Sequence, residues 1–534
     1  MADVDVVVVG GGATGSGVLR DLAMRGLRAL LVERADFASG TSGRYHGLLH
    51  SGGRYVVSDL GSASDCAREN VILRRIAPGC LELTGGYFVA TPGDPDDYLA
   101  TFPDACAAAG VLVEPVPLDR LFAAEPVLNR DIRAAYAVQD AALEPWELVE
   151  ANLRSAREHG SEAMRYQALV GVMRTADGSV QGVELENRRT AERRSVGCQV
   201  LVNAAGAWAG QVAALGGATL RMSPGKGSML IMNRRITSAV VNRLAPPGDG
   251  DILVPVHTVS ILGTTDINVA DPDDVHVTSE EVEALLDDGD RLVPGLSRAR
   301  VLRAYAGCRP LYDAGELEGE ERGHHAASRQ ISRAHHVIDH GRRDNVGGLW
   351  SIVGGKLTTY RLMAEQTVDQ VCASLGVTVA CHTADELLPG PAARKPYWIG
   401  ERLAAVEAPG GGDAELACEC EMVTTQSLLT ALDEHPDSSI DDLRRTTRLG
   451  MGPCQGAFCS CRAAAVLAER RDAEMPPAQT PEPNTSLLGF LQERLRGSEP
   501  IAWGEQLMEL WLETGIYRGT MAIETLPSRT DAPL

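Results

Sequence analysis

The sequence predicts an α/β protein. A dinucleotide-binding domain on a parallel sheet is interrupted by a mainly antiparallel β domain and followed by a small cysteine-bearing module. Three observations predict it. Residues 5–15, DVVVVGGGATG, set four consecutive valines ahead of a glycine-rich turn. Two later stretches, 200–209 and 349–361, again run from an apolar strand through small residues into a helix. Five of the 12 cysteines crowd between Cys418 and Cys461.

Val6 to Val9 have the composition of a strand buried on both faces, as in a parallel sheet. Gly10, Gly12 and Gly15 then form G-x-G-x-x-G at the strand-to-helix turn, which Gly11, Ala13 and Thr14 complete. The first glycine allows the tight turn and the second the approach of a pyrophosphate. The third lets the helix pack close to the sheet with its first N–H groups aimed at the anion. A second strand, 28–32, ends in Glu33, 18 residues beyond Gly15, where a carboxylate can accept hydrogen bonds from a ribose diol.

Composition narrows the function. A chain of 534 residues holds two to four domains, and its formal net charge of -22 argues against nucleic acid as a partner and against docking on anionic lipid. No apolar run approaches the roughly 18–20 residues that span a bilayer, and the first valines are a strand rather than a signal peptide. The expectation is a cytoplasmic protein. Only three of the 50 basic residues are lysine, at 226, 356 and 395, and two of these stand in glycine-flanked motifs.

Residues 39–55, SGTSGRYHGLLHSGGRY, are too rich in Gly, Ser, His and Arg for a plain helix or strand. They read as a ligand-wrapping loop that brings in Thr41, Ser42, Arg44, His46, His50, Arg54 and Tyr55, and leads into a helix at 62–76. Short elements follow at 86–90, 95–109 and 179–186, with a crossover helix at 146–159 returning the chain to the nucleotide domain. The strand and turn at 200–209 bring Ala205 and Gly206 to a second backbone approach. Residues 80–140 and 220–340 form the inserted β domain, with strands at 227–232 and 252–263 and a helix at 275–288. It carries Lys226 in PGKGS, Thr264-Thr265-Asp266 and Arg309 in AGCRPL. The element at 349–361 closes the nucleotide domain, giving an oxidoreductase unit of 1–390. A linker at 391–415 centred on Gly410–Gly412, a cysteine module at 416–470, a Pro-rich linker at 471–486 and a helical region at 487–534 complete the chain.

Together, the glycine-rich start, GRYHGLLHSGGRY, KGS, GTTD, AGCRPL, GGKLTTYR and the cysteine module resemble the FAD-dependent glycerol-3-phosphate dehydrogenases. The resemblance is to the A subunit of the anaerobic multisubunit enzyme and covers nearly the whole chain. Aerobic single-subunit relatives share residues 5–375 in outline but lack the cysteine module. With the wider amino-acid-oxidase-like group only the dinucleotide motifs are shared. The resemblance implies FAD, with Arg34, Thr41, Ser42, Ala205, Gly206, Gly354, Gly355, Leu357 and Thr358 joining the glycines and Glu33 in holding it. It also implies oxidation of sn-glycerol 3-phosphate to dihydroxyacetone phosphate, with electrons passed through partner subunits to quinone.

The site residues suit that chemistry. Hydride leaves C2 while a base takes the hydroxyl proton, and planar arginine forks hold a phosphate well. By resemblance Arg54, Tyr55, Arg309 and Arg333 bind substrate, and Arg309 also counts among the catalytic residues. Lys356, after its Gly-Gly turn, is expected beside the isoalloxazine as a binding and catalytic cation. Lys226 either shares that role or simply ends a strand. Single-subunit relatives carry a histidine shortly after KGS. Met229 stands there in this chain, so His50, the imidazole nearest Arg54 in sequence, is the candidate base.

Cys418-Glu-Cys420, 33 residues, then Cys454-x4-Cys459 resembles the bacterioferritin-associated-ferredoxin pattern. Four thiolates suit a 2Fe–2S cluster, with a zinc tetrahedron as the alternative, and Cys461 reads as a nonligand thiol. Arg444, Arg445 and Arg448 either offset the cluster's charge or form a solvated helix face. The expected partners are a redox subunit, together with an iron–sulfur membrane-anchor subunit, which would hold the chain at the inner face of the membrane. Two other readings compete: an amine or opine oxidase of the same fold, and a non-catalytic electron-transfer or iron-handling module.

Overall fold

The computed structural model describes residues 3–313, 331–390, 398–408, 415–473 and 480–520. The valine run forms the fully buried strand Val6–Val9 at the heart of a six-stranded sheet. Ala29–Val32 and then Glu162–Met164 lie in parallel on one side of it, and Val200–Asn203 and Leu349–Gly354 on the other. His335–Asp339 closes that edge antiparallel. Helices Ala13–Met24, Pro145–Glu158 and Tyr360–Leu375 pack together on this sheet. Pro145–Glu158 is the expected crossover helix, and it delivers the chain to the strand Glu162–Met164. Gly17 makes room for the fully buried ring of Tyr360, which a side chain at that position would meet at 2.9 Å.

The two inserted segments fuse into one nine-stranded sheet. Gly86–Ala90, Val113–Pro115 and Ala134–Val138 come from the first segment. They join the second where Gly86–Ala90 pairs in parallel with Val240–Arg243; the remaining pairings are antiparallel. The apolar run at 252–263 is two strands rather than one, Ile252–Val256 and Val259–Gly263, turned at His257, whose φ is 49°. The helix expected at 275–288 is Ser279–Leu292. Thr278 and Glu281 form a capping box that sets its start.

The expected linker at 391–415 contains a helix, Trp398–Glu407, while Gly410–Gly412 lies outside the described residues. At the second linker, Cys459–Ala473 and Pro483–Ser498 are helical up to its ends. Buried ion pairs fasten the cysteine module to the rest of the protein. Arg448 bonds Glu144 at 2.8 Å and its neighbour in the module, Glu421, at 3.0 Å. The buried His257 ring lies between the same two carboxylates, at 3.5 and 3.4 Å. Arg445 joins Asp36 at 2.7 Å, and Arg165 joins Asp36 and Asp437. Arg444 stands beside Asp441. All three arginines of the 444–448 stretch thus face carboxylates, and Arg445 and Arg448 are tied to the rest of the protein rather than lying on a solvated helix face. Removing one partner of such a buried pair strands the other charge, at a cost of about 3–5 kcal/mol.

Candidate active site

The C-terminal ends of the parallel strands meet the inserted sheet at a cavity of about 1710 Å3. Its dinucleotide end is made by backbone proximity. A side chain on Gly15 would stand 1.9 Å from the Gly10 carbonyl oxygen, and one on Gly10 would stand 2.5 Å from that of Ala204. Gly10 also has a φ of 112°, open to glycine but strained for other residues. Gly12, Ala13 and Thr14 line the cavity at the start of the helix, with Ser42 bonded to the Ala13 N–H at 3.0 Å. Glu33 is oriented by the N–H groups of Gly11, at 2.7 Å, and Ala35, at 2.9 Å. Burial pushes its carboxyl pKa upward, against those two hydrogen bonds.

Arg34, Thr41, Ala205, Gly206, Gly354, Gly355, Leu357 and Thr358 all line the same cavity. Gly11 and Gly15 support the turn from behind it. Gly354 and Gly355 have φ values of 76° and 73° and bring the backbone past Ala334 and Met363. A helix N-terminus, a carboxylate fixed at the end of the second strand and close bare backbone fit a dinucleotide such as FAD.

At the other end of this cavity stand His50, Arg54, Tyr55, Arg309, Arg333 and Lys356. Arg309 is held by Asp266 at 2.9 Å, the Thr264 hydroxyl at 2.6 Å and the Thr265 carbonyl at 2.9 Å. Gly227 of KGS leaves space for it, since a side chain there would touch the guanidinium at 2.6 Å. Asp266 also faces Arg333, at 3.5 Å. Burial lowers the Arg309 pKa to about 10; Asp266 opposes the shift and Arg333 adds to it. Arg54 is gripped by both oxygens of Asp251, at 2.8 and 3.0 Å. The Lys356 ammonium lies 4.4 Å from the centre of the Tyr55 ring and donates to the Arg333 carbonyl at 3.2 Å. Burial lowers its pKa.

Asp59, Asp251 and Asp266 also belong to this region. Arg309 and Arg333 share the single carboxylate of Asp266, which leaves guanidinium charge suited to an anion.

His50 is buried and touches Tyr55 on one side and His46 on the other, each with ring centres 5.5 Å apart. Burial holds it well below its ordinary pKa, with His46 and the nearby cations acting in the same direction, so it is an uncharged base at neutral pH. Lys226 turns away from the cavity and pairs with Glu281 at 2.9 Å, which decides between its two sequence readings in favour of architecture. Met229 is buried in its strand and is absent from the cavity wall. Sequence reasoning missed Asp251, which has no local motif, and gave no role to Asp266 in GTTD.

In the module the four thiols converge. Cys459 hydrogen-bonds with both Cys418 and Cys454, and Cys454 with Cys420. Backbone N–H groups of Gly456 and Ala457 serve Cys454, and those of Gly450 and Glu421 serve Cys418. The Cys459 hydrogen bond, opposed by burial, brings Cys418 to about 7 and Cys454 to about 5. Cys461 takes no part in this chain of thiols. Among the described residues, no set of three or more His, Cys, Asp and Glu side chains is arranged to hold a metal ion. None of the described helices is long and apolar enough to cross a membrane.

Residues 5–361 match the family described as FAD dependent oxidoreductase, and the chain belongs to it. The structure aligns with that of a glycerol-3-phosphate dehydrogenase from Bacillus halodurans complexed with FAD, at a TM-score of 0.65 and 20% identity. That alignment covers 94% of this chain and 96% of the other. The sequence is 42% identical to the A subunit of the anaerobic glycerol-3-phosphate dehydrogenase of Escherichia coli (strain K12) across 97% of each chain. It is 40% identical to the A1 subunit of the enzyme so named in Haloferax volcanii, over 99% of this chain and 92% of that one. Within the flavoenzyme family, it therefore belongs with the anaerobic glycerol-3-phosphate dehydrogenase A subunits.

His46 gives a test of the site's electrostatics. Burial lowers its pKa to about 3, with Arg54 and Arg309 reinforcing the shift, so the folded state resists a proton that the unfolded chain accepts near pH 6.5. Its contribution is fully present above pH 6.5 and is lost as pH falls from there toward 3. Urea unfolding of His46→Asn at pH 4, 5, 6 and 7 is expected to show an acid slope shallower by about 1.4 kcal/mol per pH unit than that of the parent chain.

Proposed function

We propose that this chain oxidises sn-glycerol 3-phosphate to dihydroxyacetone phosphate. The supporting observation is the cation-rich end of the cavity, continuous with the dinucleotide cradle and holding an uncharged buried histidine. Arg309 and Arg333, steadied by Asp266, hold the phosphate. Arg54 and Tyr55 close the pocket around the carbon chain. His50 accepts the C2 hydroxyl proton, and Lys356 stabilises the alkoxide as it forms. When bound, FAD supplies the acceptor for the hydride leaving C2. An amino-acid substrate offers one carboxylate, whereas two guanidiniums side by side on Asp266 suit the several oxygens of a phosphate, which argues against the amine-oxidase reading.

Cys418, Cys420, Cys454 and Cys459 are the right donor set for a 2Fe–2S cluster, which would supply one-electron transfer; in this structure they hydrogen-bond to one another instead of standing as metal ligands, and a cluster would replace those contacts. On this reading the chain works within a complex, in which further redox and membrane-anchoring subunits carry electrons to quinone.

Two substitutions separate the two halves of the proposal. Arg309→Ala removes a charge-assisted hydrogen bond of about 1.5–3 kcal/mol, so steady-state kcat/KM for glycerol 3-phosphate should fall roughly ten- to hundredfold, mostly through KM. Unchanged kinetics would refute the phosphate assignment. Cys454→Ser should leave substrate reduction of the flavin intact while removing bound iron and electron transfer to quinone in the assembled complex. A variant that still passes electrons at the parent rate would make the module structural.

A further inference from the structure

Buried guanidiniums elsewhere in this protein find acceptors. Arg361 grips both oxygens of Glu69, at 2.8 and 2.7 Å, and Arg20 donates to the Ser155 hydroxyl and to the Thr383 and Glu386 carbonyls. Three arginines beyond the substrate end of the cavity break that rule. The side chains of Arg44, Arg303 and Arg444 make no hydrogen bond among the described residues. The Arg303 side chain is 11% exposed and reaches only Glu493, at 3.8 Å. That of Arg444 is 16% exposed and stands beside Asp441 at 3.4 Å, with its Nε closed off from solvent. Arg496 completes the group by pairing with the same Glu493, at 2.9 Å.

The four come from separate parts of the chain, and glycines let those parts close on one another. Arg44 lies in the loop 39–55 against Gly307, where a side chain would stand 2.0 Å from the Arg44 carbonyl oxygen. Arg303, on the strand Val301–Arg309, lies against Gly497 of the helix Pro483–Ser498, where a side chain would meet its Nε at 2.5 Å. Arg444 stands on the helix Ile440–Thr447 of the cysteine module, and Arg496 on Pro483–Ser498. Burial pushes Arg303 down to about 9, with Arg444 and Arg44 adding to the shift and Glu493 and Asp441 opposing it. Burial likewise lowers Arg44, which Glu493 opposes and Arg445, Arg496 and Arg444 reinforce. The guanidiniums are thus close enough to act on one another.

We propose that Arg44, Arg303, Arg444 and Arg496 form a second anion site, which takes a phosphate group at the seam between the nucleotide domain, the inserted sheet, the cysteine module and the C-terminal helices. A buried charge without a hydrogen-bond partner is costly, and such groups are rare. Glu493 faces all four cations, yet its own contacts, at 2.9 and 3.8 Å, leave most of their N–H groups unused. Planar guanidinium forks fit the several oxygens of a phosphate. The site is reached from the active-site cavity, whose wall includes Arg44 and Arg496. It is separate from the substrate end: Arg303 and Arg309 are six residues apart on one strand, about 20 Å at the rise of a β-strand. A phosphate held there touches residues of each unit and fastens the module to the nucleotide domain.

Isothermal titration calorimetry of the full FAD-loaded chain with sodium phosphate, at constant ionic strength in chloride, tests this. The titrated chain carries Arg309→Ala, which weakens phosphate binding at the substrate end. It should bind phosphate saturably, and adding Arg303→Met should weaken that binding about tenfold or more, as for loss of a charge-assisted hydrogen bond. Because Arg303 bonds nothing in the free chain, Arg303→Met should melt no lower than its parent in chloride, while losing the rise in Tm that phosphate gives the parent. If it melts lower, Arg444→Gln takes its place in the same titration. Absence of saturable binding to the Arg309→Ala chain would overturn the proposal, as would binding that Arg303→Met and Arg444→Gln both leave unchanged. Dihydroxyacetone phosphate in place of phosphate names the source: equal affinity assigns the site to inorganic phosphate, and binding tighter by about tenfold or more, some 1.4 kcal/mol, to the ester. With Arg309 intact, Arg303→Met should keep the parent kcat/KM for glycerol 3-phosphate. A fall as large as that of Arg309→Ala would place Arg303 in the substrate pocket and overturn the claim of a second site. The comparison with and without Arg303→Met decides the site whether or not Arg309 holds a phosphate, so failure of the substrate reading stays distinct.

Discussion

Everything at the active site depends on one steric fact: the backbone at Gly10 lies against the backbone at Gly15 and Ala204. A single methyl group at Gly15 would stand 1.9 Å from the Gly10 carbonyl oxygen. Because no side chain intervenes, the helix Ala13–Met24 starts directly at the end of the central strand, with its first N–H groups opening on the cavity. The same approach fixes Val200–Asn203 beside Val6–Val9, and through it the late strand Leu349–Gly354. Segments nearly 350 residues apart in sequence thereby converge on one ligand, at the end of the sheet where doubly wound folds bind nucleotides.

Onto this rigid floor the inserted domain brings Arg309 and two carboxylates that hold the site's cations. Asp266 serves Arg309 and Arg333, and Asp251 serves Arg54, so each guanidinium has a fixed orientation before any substrate arrives. Such preorganisation makes a charged pocket effective, because little of the binding energy goes into ordering side chains. Burial works in the opposite sense on the imidazoles. Beside these cations His46 and His50 stay uncharged, which keeps a base available next to a phosphate site.

Much of this was legible in the sequence because it is local. The valine run with its glycines, the Glu33 spacing, the GGK turn and the loop 39–55 each concentrate several constrained residues within a few positions. The parts that were not legible are long-range ion pairs. Nothing near Lys226 announces Glu281, 55 residues on, and nothing near Arg54 announces Asp251, 197 residues on. Arg444, Arg445 and Arg448 read as partners of the cysteine cluster or of solvent because a sequence shows their proximity to cysteines but not the carboxylates opposite them. The hairpin at His257 was hidden by uninterrupted β-forming residues on both sides of a two-residue turn. The Trp398–Glu407 helix was submerged in a stretch bounded by proline and glycine.

The central claim is that the cavity delivers the electrons of glycerol 3-phosphate to FAD. Anaerobic titration of the purified FAD-loaded chain with glycerol 3-phosphate, following the visible flavin absorption, tests it most directly. The account predicts stoichiometric bleaching of the flavin band by glycerol 3-phosphate and none by glycerol, which lacks the phosphate that Arg309 and Arg333 hold. A flavin that dithionite bleaches but glycerol 3-phosphate leaves oxidised would contradict it.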